Sequence, residues 1–96
     1  MIYFEDIPEE KLVVFKEAIL SGEPPSSAMR KLYDSMGIIM PNQVALSTAV
    51  DVLEWGIPNL DIGAVSGHVI DSGCPFFENE RDSSEFDKLI NEWSGE

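Results

Sequence analysis

The chain has 96 residues, 44% of them hydrophobic and 25% charged, which is enough for one domain with a small core, too little for two, and too apolar for wholesale disorder. Eighteen Asp and Glu against six Lys and Arg give a net charge of −12, and a surface of that sign repels phosphate backbones and anionic lipid heads, so direct nucleic-acid and membrane binding are disfavoured. No apolar run approaches the roughly 18 residues that span a bilayer, and Met1-Ile2-Tyr3-Phe4-Glu5-Asp6 lacks the basic start and apolar stretch of a secretion signal; a cytoplasmic protein is expected.

Residues 2 to 4 are apolar and aromatic and suit a short extended strand or arm. Asp6-Ile7-Pro8-Glu9 combines a capping acid, a first-turn proline and a Glu three residues on, which predicts a helix from there to Leu20, closed by Gly22. Pro8, Leu12, Phe15 and Ile19 form one stripe at helical spacing, while Val13 and Val14 fall outside it and point to a second buried face. After Pro24-Pro25-Ser26-Ser27, the recurrence of Ala28, Met29, Leu32, Tyr33 and Met36 predicts a second helix ending at Gly37. Ile38-Ile39-Met40-Pro41 reads as a short apolar connector, and Asn42 as the cap of a third helix. Val44, Ala45, Leu46, Ala49, Val50, Val52 and Leu53 cover most of that helix's circumference and make it the central one, with Gly56 and Pro58 closing it.

Residues 59 to 73 admit helix or strand, because Asn59 and Asp61 are start signals whereas Gly63 and Gly67 each cost roughly 1 kcal/mol in a helix. If the segment is helical, the two glycines lie one turn apart and admit the close approach of another backbone. Ser72-Gly73-Cys74-Pro75 breaks the chain. Asp82-Ser83-Ser84-Glu85 is a capping-box pattern ahead of the stripe Phe86, Leu89, Ile90 and Trp93, which predicts a last amphipathic helix. With no internal repeat, the fold expected is all-α: a compact single-domain bundle of four to five short helices over residues 1–96, with an optional N-terminal extended strand.

The chemistry-bearing residues are few. One cysteine and one histidine exclude an internal disulfide and a Cys/His structural zinc site within one chain. His68 and Cys74 have the types of a thiolate and base pair, but only Asp71 or Asn79 stands by to orient them, and a lone thiol before proline is more often a packing residue. His68, Asp71 and Cys74 likewise make a weak metal set. Residues 71 to 82 have acids at both ends of a twelve-residue span, yet Gly73 and Pro75 replace the oxygen ligands of a calcium loop and Phe76 its glycine. Asp34-Ser35-Met36 resembles the modified-serine motif of acyl carrier proteins, but Gly37 and Pro41 interrupt the helix that follows it there. Of the two helices of residues 26 to 55, the second lacks the Lys or Arg that a DNA-reading helix requires. No cofactor and no enzymatic activity are expected.

What remains is charge placement. Between Lys31 and Arg81 there is no basic residue, and Glu78, Glu80, Asp82, Glu85, Asp87, Glu92 and Glu96 face only Arg81 and Lys88. A second acidic cluster is Glu5, Asp6, Glu9 and Glu10. These features predict a small acidic module that occupies a basic surface of a protein partner, in general character similar to immunity proteins, inhibitors and nucleic-acid mimics. The C-terminal carboxylates from Glu78 to Glu92 would meet the partner's Lys and Arg, and Phe76, Phe77 or Trp55 would supply the apolar anchor. The alternative is self-association as a homodimer through Val13 and Val14 and the Gly63 and Gly67 face.

Overall fold

Each helix begins and ends where backbone chemistry requires it. A computed structural model describes residues 1–72 and 80–94, and among them the chain forms α1 (Glu9–Leu20), α2 (Pro25–Ser35), α3 (Leu46–Gly56), α4 (Ile62–Ser72) and α5 (Glu80–Glu92). The all-α bundle expected from periodicity is the fold. Gly22 and Gly37, at φ of +97° and +72°, stop α1 and α2 in the left-handed conformation that a side chain disfavours. Asn59 takes the same region, at φ of 60°, in the turn between α3 and α4.

Several boundaries differ from expectation, each because a longer-range contact takes over a group that local sequence assigned elsewhere. Asp6 does not cap α1: its carboxylate accepts the Tyr3 N–H at 2.9 Å and closes a 3₁₀ turn over Phe4–Asp6, so α1 starts only after Pro8. Asn42 does not cap α3 either. It lies in a 3₁₀ turn, Pro41–Gln43, and the next residues leave the helix to pair with the N-terminus. Ile2 donates to Gln43 O at 2.7 Å and accepts from Ala45 N at 3.1 Å, an isolated parallel bridge to Val44 and the extent of the predicted N-terminal strand. Buried Thr48 adds its hydroxyl to Ile2 O at 3.2 Å. Of the segment 59–73, which admitted helix or strand, residues Ile62–Ser72 are helix and Gly73 lies outside the described residues; the Asp61 carboxylate accepts the Ala64 N–H at 3.2 Å as an N-cap. At the C-terminal side, α5 is already helical at Glu80, so Asp82 lies inside the helix rather than capping it.

The core is one cluster in which Phe15, Met29, Leu53, Val52, Val65, Val69, Phe86 and Ile90 are the most deeply buried. α3 packs on α1, on α4 and on the N-terminal 3₁₀ turn, while α2 packs on α1 and α5, so α1 joins the two groups. α5 closes against α4 largely through side chains, with one backbone tie from Asp61 N to Trp93 O at 2.8 Å. Leu12 and Phe15 of the predicted α1 stripe are buried and Ile19 half-buried, whereas Pro8 is exposed. Gly56 is the last residue of α3 and is buried against the Phe15 ring; it serves close packing rather than a left-handed cap.

Candidate protein-interaction surface

The α5 carboxylates split into two kinds. Asp87 turns inward, accepting from Ser26 N and from Ser26 Oγ, both at 2.7 Å. The reason lies at the start of α2, where Pro24 is the cap residue and Pro25 the first of the helix: prolines carry no N–H, so Ser26 offers the first free donor, and a carboxylate there also complements the positive end of the dipole. Asp87 thus caps a helix 61 residues away. Beside it, Arg30 donates to buried Ser83 at 2.9 Å, a second polar tie between α2 and α5. Replacing Asp87 with Ala is expected to cost about 1.5–3 kcal/mol, the range for a hydrogen bond to a charged group. Thermal melts, together with faster amide exchange at Ser26, check it.

Glu80, Glu85 and Glu92 are exposed, as is Asp82, which is engaged in a further contact. Helical spacing puts Arg81 and Lys88 three or four residues from Glu85 and Glu92, so this outer face mixes both signs and its net charge is smaller than the run of acids implies. Glu78, Phe76 and Phe77 lie outside the described residues. Trp55 is half-buried beneath Lys16, whose Nζ stands 5.3 Å from the ring centroid, a cation–π contact within the chain. The expected C-terminal carboxylates thus stand on α5, which packs on α2, and the Trp55 anchor stands at the end of α3, which packs on α1 and α4.

The basic residues are used internally. Lys31 pairs with Glu23, whose carboxyl is held below the usual range by that ammonium and by the Ser27 hydroxyl. Lys11 donates to Ser35 O at 3.2 Å. With Lys16 on Trp55 and Arg30 on Ser83, four of the six bases have partners in the chain.

The features assigned to self-association are open. Val14 is 65% exposed and Val13 39%; Val14 borders a groove of about 260 Å³ between α1 and α2, with Ala18 and Leu32 in its wall. No second buried face of α1 exists in the monomer at Val14. A Cβ placed on Gly67 would meet nothing within 4 Å, and one on Gly63 only the Asp61 carboxylate at 3.6 Å, so neither glycine admits a close helix neighbour within the bundle.

His68 is set among rings, 6.2 Å from Phe86 and 5.8 Å edge-on from Trp93, and its buried Nε2 has no hydrogen-bond partner among the described residues. Its proposed partner Cys74 lies outside the described residues. Among the described residues no three potential ligands gather as a metal site, and no helix is long and apolar enough to cross a membrane.

Sequence reasoning missed one group of residues. Tyr3, Ile39, Met40 and Leu46 are exposed at 47%, 77%, 52% and 43%, and hydrogen bonds of their chain neighbours join the segments that carry them. Gln43 Oε1 accepts from Ile39 N and Met40 N, both at 2.8 Å, while Gln43 O and Ala45 N bond Ile2. The only local signal was an apolar connector lacking helical periodicity. Comparison with protein-family models, curated proteins and solved structures gives no match.

Proposed function

We propose that this protein is an acidic binding module, of the inhibitor, immunity or nucleic-acid-mimic kind, which occupies a basic surface of a protein partner and has no catalytic role. The observation that carries this reading is the charge and where it stands: the chain has a net charge of −12, Glu80, Glu85 and Glu92 are exposed on α5, and Lys11, Lys16, Arg30 and Lys31 are engaged within the fold, so the protein's overall field is negative. Such a field accelerates capture of a cationic partner and suppresses wrong ones. A binding role also accords with His68, whose ring is occupied in packing with Phe86 and Trp93.

Capture from host lysate by the tagged protein, with parallel capture by a Glu80→Lys, Glu85→Lys variant, tests the proposal. One basic protein retained in stoichiometric amount by the parent and released by salt is expected, with an association rate several-fold lower for the variant at low salt. Equal retention and equal low-salt rates for the two proteins would refute an electrostatic role for α5.

Exposed Val14 beside the α1–α2 groove favours a second reading, a self-associating module without enzymatic activity. Val14→Asp is expected to leave stability within about 0.5 kcal/mol, as exposed substitutions do. If a dimer forms on this face, sedimentation would show the same change converting it to monomer.

A further inference from the structure

Resting on the basic-partner reading above, we propose that the surface formed by Tyr3, Ile39, Met40 and Leu46 is the apolar anchor of the interface, and that it receives a cationic amphipathic segment of the partner. Four large apolar side chains exposed in one neighbourhood are more than the scattered surface hydrophobics of an ordinary monomer. Their backbones are held by bonds that do not depend on a partner. The Gln43 side chain bridges two consecutive amides at 2.8 Å, the Gln43 amide returns to Met40 O at 3.1 Å, and the Ile2 bridge secures the N-terminal side. Apolar groups presented on an already ordered backbone lose little entropy on binding.

Charge selects the occupant. Residues 1–10 contain Glu5, Asp6, Glu9 and Glu10 and no Lys or Arg, and residues 32–80 contain no Lys or Arg either. Glu5 and Asp6 are exposed next to Tyr3, and Asp34 is exposed in the last turn of α2, ahead of Ile39. Lys11 is bonded to the carbonyl oxygen of Ser35, the residue after Asp34, so the rim's uncompensated acids are Glu5 and Asp6. An apolar centre with an acidic rim fits an apolar stripe flanked by Lys and Arg. A second copy placed face to face on the same patch would set Glu5 and Asp6 against their own like charges, which disfavours it.

The test is a ¹H–¹⁵N titration of the full chain with a short Leu/Lys peptide of helical periodicity, compared with its Leu/Glu counterpart and with oligo-lysine. Shifts from the Leu/Lys peptide should concentrate on residues 1–6 and 38–47, and Ile39→Asp should weaken binding by about tenfold or more, the loss typical of an interface hot spot. Leu46→Glu, with an acid at a helix N-terminus where it does not harm the helix, should weaken it as well, and unchanged circular dichroism would show both variants folded.

Equal binding of the Leu/Glu peptide would overturn the proposal, as would patch shifts that depend on protein concentration without peptide and accompany a dimer in sedimentation. Shifts confined to α5 would overturn the patch and leave the basic-partner reading standing. Failure of both Leu/Lys peptide and oligo-lysine to bind anywhere would overturn the two together.

Discussion

Phe86→Ala is expected to remove about 3–5 kcal/mol of stability, the range for truncating a buried aromatic side chain. Phe86 is fully buried and stands where α5 meets α4, beside His68. The contacts of Phe86 and Trp93 with His68 and the Asp61–Trp93 backbone bond tie this end of the chain to α4. Against the roughly 5–15 kcal/mol that keeps a domain folded, the loss is a large share. Urea unfolding followed by tryptophan fluorescence measures it, and an unchanged m-value would confirm that stability rather than denatured-state compactness had altered. Ser84, exposed on the same helix, provides the control: its replacement by Ala should change stability by no more than about 0.5 kcal/mol. A similarly small effect at Phe86 would mean that α5 is not seated as described.

Gly56→Ala is expected to destabilise although Ala is the better helix former. A Cβ at this position would collide with Phe15 Cε2 and lie 2.6 Å from Cδ2, and Phe15 is itself only 2% exposed, so the ring must shift against its buried neighbours to admit it. Overpacking of this kind costs about 1–3 kcal/mol, against a propensity gain of up to about 1 kcal/mol. In a domain of this size each kcal/mol lowers the melting temperature by roughly 4–8 °C. The same substitution in a Phe15→Leu background should cost less, because the branched side chain clears the ring's edge, and the difference between the two costs is the coupling energy. Equal costs in both backgrounds would place the strain elsewhere.

These two residues also mark how differently fold and site were legible. Phe86 was readable from its stripe with Leu89, Ile90 and Trp93, because one buried face of a helix imposes its own period on the sequence. Gly56 was readable as a terminator but not as a packing position: that role depends on a ring 41 residues earlier in the chain. The candidate surface was legible in its sign and not in its place. Carboxylates counted along α5 looked equivalent, yet Asp87 belongs to the N-terminus of α2 and the exposed remainder is interleaved with Arg81 and Lys88. The proposed apolar patch was hidden because the segments that carry Tyr3 and Ile39 are joined through the Ile2–Val44 bridge and the Gln43 side chain, contacts that local spacing does not record.

The sequence by itself determined the helical class, the ends of α1 and α2 at Gly22 and Gly37, the core stripes and the negative net charge. All of these rest on caps, periodicity and composition, which act over a few residues or over none. The tertiary structure alone decided where α3 begins, which acid caps α2, why residue 56 is glycine and which apolar side chains stay in water. Those depend on contacts across some 40 to 60 residues, where a buried donor takes whichever acceptor the packing brings to it, and local spacing carries no record of that choice.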